Sequence, residues 1–305
     1  MNKIKGLTLT ILANMTSNYG EGLGNVSSVQ KVFRNGSTYA MRSRESLKNA
    51  IMTQSGMYED LKVTVDGATQ KEVTPERNVA NCRALEGGYM NTNVVIDKQK
   101  LTFIRNSSFY LTDAISCEPF VNETRFHNNL HLAKTFAEAG GLNVQNNAGQ
   151  VGLMPYNYEY EKSLRAYSIT FDLDMIGVDE NFKKAEHYQE APSEEKVARV
   201  NAILEAIEQL SLIVKGNLDN AEPIFVVGGL SDRKTHVFEN VVRVNKGRLS
   251  ITDDLVDKIS LGYNVALLKG DNFVNEQEII EKLEPKSITQ FFQNLKQDVK
   301  NHYGV

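Results

Sequence analysis

A cluster of basic residues lies in one short segment of the sequence. Its members, all between positions 31 and 48, are Lys31, Arg34, Arg42, Arg44 and Lys48, with Glu45 the one acid among them. Ser43 is a candidate N-cap for a helix over residues 44–53. A helix N-terminus has unpaired N–H groups and partial positive charge, which suit a phosphate. The segment therefore indicates either an anion site or a solvated helix with a good cap.

A glycine- and asparagine-rich loop precedes this cluster. The loop, residues 14–25, contains Asn18, Gly24 and Asn25. Glycine permits a positive φ and lets another backbone come close, so this composition is typical of a loop that lies against a ligand.

Histidine and cysteine give weaker signals. His127 and His131 could face one side of a helix, as in a zinc site, but the Glu of HExxH and a third ligand are missing. A pair of surface histidines is the favoured interpretation. Cys82 and Cys117 stand far apart and form no CxxC, which is typical of unpaired cysteines in a reducing cytoplasm. We therefore predict no metal and no cofactor.

The composition is that of an ordinary globular protein. The 305 residues are 41% hydrophobic and 24% charged, enough for one large domain with insertions. No apolar run of ~18 residues indicates a membrane span, and the alternation in residues 7–11 is unlike a signal peptide. The net charge of −4 argues mildly against a nucleic-acid partner, although the local distribution of charge matters more.

The hydrophobic pattern predicts an α+β fold. Residues 7–11 alternate as a half-buried strand should, and Gly228 and Gly229 follow a buried strand over residues 224–227. Without two insertions, at residues 57–100 and 118–161, the element order is βαββαβ, which is the ferredoxin-like arrangement. The remaining predictions are strands over residues 101–115 and 167–173, helices over 130–139, 193–214 and 288–299, and a hairpin tip at 146–149.

Several segments resemble one protein family. Gly24-Asn25, the stretch 39–51, the turn from Asp174 to Gly177 after residues 171–173, and Gly228-Gly229 followed by Arg233 occur in that order. They resemble the backbone subunit of type I CRISPR Cascade complexes, specifically the DevR branch found in type I-B systems. The resemblance extends from residue 3 to about residue 235.

The resemblance implies a right-hand-shaped subunit whose copies polymerise along one guide RNA (crRNA). The implied palm is an RRM-like βαββαβ domain of residues 1–56, 101–117 and 162–305, with fingers at 57–100 and a thumb within 118–161. The expected partners are crRNA, target DNA through the crRNA, other copies of the chain and other Cascade subunits, in the cytoplasm and without a membrane.

The resemblance also implies an RNA-binding set. Arg42, Ser43, Arg44 and Lys48 match the phosphate-gripping positions of the family. Met154, Pro155 and Tyr156 are candidate wedges between bases, with simple hairpin packing as the alternative. The full expected set is Asn18, Gly24, Asn25, Lys31, Arg34, Arg42, Ser43, Arg44, Ser46, Lys48, Met154, Tyr156, Gly228, Gly229 and Arg233. Contacts to phosphate and sugar would accept any guide sequence.

The alternative function is that of a CRISPR-associated endoribonuclease. Backbone subunits of related type III complexes cut RNA with an aspartate in the loop after the first strand. Between Ala13 and Arg42 this chain has no aspartate, and Glu21 is its one acid there. A sequence-specific RRM regulator would need stacking aromatics where Thr8 and Thr10 stand. We therefore expect a non-catalytic protein.

Overall fold

In the computed structural model, which describes residues 3–19, 26–96 and 98–305, the chain is a mixed α+β protein. The helices of the described residues are α1 (Arg44–Gln54), α2 (Leu130–Ala139), α3 (Ser193–Glu208), α4 (Asp253–Ser260), α5 (Glu276–Leu283) and α6 (Ile288–Tyr303). None of these six helices is long and apolar enough to cross a bilayer. The helices predicted over 44–53, 130–139 and 288–299 are confirmed as α1, α2 and α6.

The strands of the described residues are mostly short. In chain order they are β1 (Gly6–Thr16), β2 (Val26–Ser27), β3 (Lys31–Arg34), β4 (Ser37–Arg42), β5 (Val63–Asp66), β6 (Ala68–Lys71), β7 (Tyr89–Ile96), β8 (Gln99–Arg105), β9 (Phe109–Leu111), β10 (Ala114–Ser116), β11 (Thr124–His127), β12 (Tyr156–Glu159), β13 (Lys162–Asp172), β14 (Ser211–Val214), β15 (Asn217–Asn220), β16 (Phe225–Ser231), β17 (Val244–Asn245), β18 (Arg248–Leu249) and β19 (Asn264–Leu267).

The main sheet is antiparallel and has eight strands in the order β19-β16-β1-β13-β10-β4-β3, with β9 beside β13. Strand β1 lies at its centre and pairs with β13 along its whole length, from Gly6↔Asp172 to Thr16↔Lys162. Residues 14–16, which were predicted to be loop, therefore belong to β1. The strand predicted over 101–115 is divided into the end of β8, β9 and β10.

Both faces of the sheet are covered. On the first face, Leu9 and Ile11 of β1 share a core with α1, α3 and α6. On the second face, Leu12 shares a core with Phe238 and Leu255 from the C-terminal part of the chain. The prediction of a half-buried first strand is thus wrong, since Thr8 and Thr10 are also buried. Thr10 Oγ1 satisfies its hydrogen bond with Ser168 Oγ at 2.7 Å.

Helix α3 is shorter than the predicted helix over 193–214. It ends at Glu208, and Leu210 and Val214 are buried beside or within the hairpin β14–β15 instead. Lys215 and Gly216 connect the two strands with φ values of 50° and 79°, the positive values that a tight hairpin turn requires. Leu210 and Val214 are buried in either a helix or this hairpin, so the spacing of the apolar residues alone did not distinguish the two structures.

The glycine pair lies inside β16 and does not end it. Gly228 has φ 154°, and a Cβ there would lie 1.9 Å from the carbonyl oxygen of Thr8. Glycine is therefore required for β16 to approach β1 this closely. The prediction that the strand ends at Gly228 and Gly229 is wrong, because the strand continues to Ser231.

The first insertion consists of the hairpins β5–β6 and β7–β8 with a 3₁₀ helix (Arg83–Gly87) between them. A buried ion network fastens it to helix α3 and to the turn that follows β13. Glu86 accepts a hydrogen bond from Arg199 of α3 at 2.8 Å and lies 3.7 Å from the guanidinium of Arg105. Its Oε1 also accepts the backbone N–H of Gly177 at 2.7 Å.

The second insertion contains α2, β11 and β12, and β2 from the N-terminal part of the chain pairs with β12 to complete a three-stranded sheet. His127 lies in β11 and His131 in α2, so the expectation that they share one helix is wrong. Residues 146–149 form turns without flanking strands, so the predicted hairpin tip is also wrong. The reason is that Asn143 accepts hydrogen bonds from the backbone N–H groups of residues 145–147. These bonds form local turns in place of a strand pair.

Candidate functional site

The start of α1 is well capped by groups of the chain itself. Ser43 has extended backbone angles and its Oγ accepts the N–H of Ser46, which confirms it as the N-cap. The carboxylate of Asp113 accepts the N–H of Arg44 at 2.8 Å. The pKa of Glu45 is lowered chiefly by a hydrogen bond from its own backbone N–H. The first-turn N–H of Leu47 is bound by the Ser43 carbonyl.

These contacts change the expected role of the helix end. The first-turn N–H groups all have acceptors within the described residues, so the expectation of unpaired N–H groups for a phosphate is wrong. Asn18 is part of the same arrangement, since its Oδ1 accepts the N–H of Ser43 at 3.0 Å. Any anion held here is therefore held by side chains.

Arg42 is buried and holds the start of α1 in place through hydrogen bonds. Its Nε and Nη2 donate to the carbonyl of Thr16 at 3.1 and 3.0 Å, and its Nη1 donates to Ser46 Oγ at 2.9 Å. Burial, together with the nearby charge of Arg165, lowers the pKa of Arg42 to about 10. The residue ties the end of β4 to the end of β1.

Lys48 joins α1 to the first insertion. Its Nζ donates to the carbonyl of Gly87 at 2.8 Å and to Ser107 Oγ at 2.7 Å, and it lies 4.8 Å from the centre of the Phe109 ring. Burial, and next the charge of Lys71, lower the pKa of Lys48 to about 8. Lys71 similarly donates to the carbonyls of Ala84, within the 3₁₀ helix, and of Gly88, just after it, so two ammonium groups hold this turn.

Two of the predicted cations that are exposed, Arg34 and Arg44, lie around clefts. A cleft of about 1090 Å³ is bounded by the β10–β4 end of the sheet and the segment 236–250. A smaller cleft of about 510 Å³ is lined by Lys48 and Tyr110. Arg44 lines both clefts, and its side chain is 62% exposed. Arg34 also lines the larger cleft and lies over the ring of Tyr39.

The larger cleft includes residues that sequence reasoning missed. Besides Arg34 and Arg44 it is lined by Arg243 and Lys246, and the acids Asp113, Glu118 and Glu239 offset most of this charge. A second basic cluster in the sequence, at positions 243–248, was the available signal. Asp113 gave no signal, because the strand pairing that brings β10 beside β4 joins residues about 70 positions apart.

The other predicted residues lie apart from this group. Lys31 forms an ion pair with Glu159 at 2.6 Å, next to the second insertion, where Met154 is 71% exposed and Tyr156 is 36% exposed. Gly24 and Asn25 lie outside the described residues.

The glycine pair and Arg233 belong to the opposite side of the sheet. Gly228 and Gly229 are buried in β16, which three strands separate from β4, a distance of about 19 Å. Arg233 follows β16 and is exposed, and its backbone N–H donates to Ser231 Oγ.

One further buried cation lies beside the site. Arg165 is fully buried, and its Nη2 donates to Ser17 Oγ at 2.6 Å and to Glu161. Its Nε and Nη1 have no partner among the described residues. Within the same described part of the chain, no three His, Cys, Asp or Glu side chains are grouped so as to hold a metal ion.

Chains with a similar fold occur in solved assemblies. One, from a "CRISPR RNA-guided surveillance complex", has a TM-score of 0.54 and 11% identity, with 96% of this chain and 99% of that chain covered. Another, from a "CRISPR RNA-guided surveillance complex, pre-nicking", has a TM-score of 0.61 and 10% identity, with 97% and 100% covered. At such low identity the likeness shows the fold.

The sequence itself identifies the protein family. Residues 7–248, more than three quarters of the chain, match the family described as "CRISPR-associated negative auto-regulator DevR/Csa2". The chain belongs to this family, as the motifs in the sequence had indicated. No curated protein matches the sequence.

Proposed function

We propose that this protein is a crRNA-binding backbone subunit of a type I CRISPR Cascade complex, of the I-B subtype. The observation that carries the proposal is the DevR/Csa2 family match over residues 7–248. It is supported by the similar fold of chains from RNA-guided surveillance complexes, which align over 96–97% of this chain.

The strand order supports an RRM-like palm. Taking β1, β9–β10, β13 and β16 as the first to fourth strands, their order across the sheet is fourth, first, third, second. Helix α1 lies between the first and second of these strands in the chain, and α3 between the third and fourth. This matches βαββαβ. In this proposal the insertion at 57–100 acts as fingers, and the insertion at 118–161 contains the thumb.

The proposed RNA path uses exposed side chains. Arg34, Arg44 and Lys31 would contact phosphates, while Arg42 and Lys48 position α1 through their buried hydrogen bonds. Asn18, Ser43 and Ser46 would shape the same turn. Because phosphate contacts carry no sequence information, any guide would be accepted.

The remaining predicted residues have other proposed parts. Gly24 and Asn25 would lie against the RNA, and Met154 and Tyr156 would contact its bases. Gly228 and Gly229 would contribute indirectly, by allowing β16 to pack closely against β1. Arg233 would be a cation at the edge of the RNA path.

The proposed subunit is non-catalytic and acts in the cytoplasm. Copies would assemble head to tail along one crRNA, since an open filament of identical subunits needs heterologous contacts. The guide bases left free would pair with target DNA, and other Cascade subunits would join the ends.

The test is the mass of complexes formed with unrelated RNAs of increasing length, measured by light scattering. The mass is expected to grow in steps with RNA length, with little dependence on sequence. The double variant Arg34→Glu/Arg44→Glu should lose binding, and the matched double variant Lys282→Glu/Lys300→Glu, with the same charge change on α5 and α6, should keep it.

Two results would contradict the proposal. A complex of one fixed size that discriminates between RNA sequences would indicate a regulator. RNA cleavage that is lost in His131→Ala would indicate the endoribonuclease.

A further inference from the structure

The smaller cleft, of about 510 Å³, has the size of a small-molecule site. Its lining comes from α1, from β9 and from the end of the 3₁₀ helix of the first insertion. Three aromatic residues, Tyr58, Phe109 and Tyr110, line it together with the cations Arg44 and Lys48. Pockets of roughly 300–1,000 Å³ that combine rings with a few polar groups are typical of small-ligand sites. The RNA path proposed above uses Arg44 and assigns no ligand to the rest of this cleft.

Two ammonium groups lie next to Gly87 at this cleft. A Cβ on Gly87 would lie 3.5 Å from Nζ of Lys71 and 3.6 Å from Cε of Lys48. The acceptors of both lysines are neutral, namely backbone carbonyls and, for Lys48, also the hydroxyl of Ser107. In the described part of the chain neither ammonium forms an ion pair. Two positive charges are therefore held here without a carboxylate partner.

Lys48 has the capacity to bind an anion in the cleft. An ammonium has three N–H donors, and the carbonyl of Gly87 and Ser107 Oγ accept two of those of Lys48. Burial lowers the pKa of Lys48 to about 8, so the group is still mainly protonated at pH 7. Glu45 is the one acid among the described residues that line the cleft, and Arg44 Nε binds it at 2.8 Å. A phosphate in the cleft would supply the missing negative charge.

The rest of the lining suits a planar ring with polar edges. Tyr110 is the exposed one of the three rings, with an exposed fraction of 43%, so a ligand can stack against it. Asn49 is also exposed, and its amide offers both a donor and an acceptor. A nucleobase has such edges and a π face, and its sugar carries the phosphate that the lysine requires.

We propose that the smaller cleft binds a free mononucleotide, with its phosphate next to Lys48 and Arg44 and its base against Tyr110. The site goes beyond the RNA-binding function and does not depend on it. The larger cleft is less suitable, because three acids, Asp113, Glu118 and Glu239, line it.

Isothermal titration calorimetry with AMP and UMP tests the site. Dissociation constants between about 10 μM and 1 mM are expected, as for a small ligand with one charged anchor. Adenosine, which has no phosphate, and inorganic phosphate, which has no base, should each bind at least about tenfold more weakly. Absence of AMP and UMP binding would overturn the proposal. Phosphate that binds as tightly as AMP would show a simple anion site and would also overturn it.

Two variants locate the ligand. Lys48→Met and Tyr110→Ala should each weaken AMP binding by a factor of about 5 or more. The matched controls are Lys282→Met on α5 and Phe136→Ala on α2, which remove an exposed ammonium and an exposed ring elsewhere and should bind AMP normally. Thermal unfolding verifies that each variant is folded, and the exposed position of Tyr110 makes its variant the safer of the two. Unchanged AMP affinity in Tyr110→Ala would overturn the proposal.

RNA binding, measured in parallel, separates this inference from the proposed function. If a 20-nucleotide RNA binds and AMP and UMP do not, the mononucleotide site is wrong and the RNA-binding proposal stands. If AMP binds and no RNA does, the mononucleotide site stands and the RNA-binding proposal is wrong. The expected result is that Tyr110→Ala loses AMP and keeps its affinity for RNA. Equal losses of AMP and RNA in that folded variant would make the cleft part of the RNA path and overturn a separate nucleotide site.

Discussion

Arg199 of α3 lies 2.8 Å from Glu86 of the first insertion, and both side chains are almost completely buried. Glu195 of the same helix also pairs with Arg199, but Glu86 would lose a buried partner if the two elements separated, and an unpaired ion in a protein interior costs several kcal/mol. The pair therefore fixes the position of the first insertion against α3 in the folded protein.

Removing the negative charge of Glu86 should destabilise the folded protein. Glu86→Gln is expected to lower the free energy of unfolding by about 3–5 kcal/mol, because it leaves Arg105 buried without this counter-ion and leaves Arg199 with Glu195 alone. The control is Glu180→Gln, which removes an exposed pair with Lys183 and should cost less than about 1 kcal/mol. Urea unfolding at unchanged m-value measures both. Equal losses in the two variants would contradict the prediction.

The buried ammonium of Lys48 should make stability depend on pH. In the folded chain its pKa is about 8, whereas lysine in the unfolded chain titrates near 10.5. Between these values the unfolded chain binds more protons, so the free energy of unfolding rises with pH across that window. Relative to Lys48→Met, the unsubstituted protein should gain roughly 1–3 kcal/mol from pH 7 to pH 10. Parallel pH profiles for the two proteins would rule this out.

The carboxylate of Asp113 should weaken RNA binding. Asp113→Ala frees the N–H of Arg44 at the start of α1 and removes a negative charge from the larger cleft. We expect RNA to bind about two- to fivefold more tightly at low salt, and the fold to lose about 0.5–2 kcal/mol with the cap. Asp113→Asn keeps the acceptor and should gain affinity at a smaller cost. Fluorescence anisotropy with labelled RNA measures the affinity, and a weaker complex in either variant contradicts the prediction.

The two adjacent glycines of β16 should differ in their tolerance of a side chain. In Gly228→Ala the new Cβ meets the backbone of β1, 1.9 Å from the Thr8 oxygen, so a loss of more than about 4 kcal/mol and little soluble protein are expected. In Gly229→Ala the nearest atom is Cδ1 of Tyr263 at 3.6 Å, which leaves only the backbone strain of about 1–3 kcal/mol. Soluble yield and thermal unfolding decide, and equal yields would contradict this ranking.

Local signals predicted the parts of the fold that depend on neighbours in the chain. Ser43 identifies the start of α1 because capping is settled within one turn. The burial of Thr8 and Thr10 was missed, because the segment that reaches this face comes more than 200 positions later, where the N–H of Val237 donates to Thr8 Oγ1. The end of α3 was missed because a helix and a hairpin bury the same residues.

The candidate site shows the same division. The basic residues of positions 31–48 were visible as a cluster, and the structure brings Arg34 and Arg44 to one cleft. Whether a cation is free or engaged was not visible: Arg42 and Lys48 have the same residue types as Arg34 and Arg44, yet their partners are carbonyls of Thr16 and Gly87. Those carbonyls are brought near by tertiary packing, which no spacing rule records.

The attachment of the first insertion has a mechanical consequence. With Glu86, Arg199 and Lys48 holding it to α1 and α3, the insertion cannot pivot without exposing or separating buried charges. In the filament proposed above, each copy would then add the same rotation and the same rise, whatever RNA it carried. The pitch of such a superhelix would be set by the protein, and the guide would conform to it.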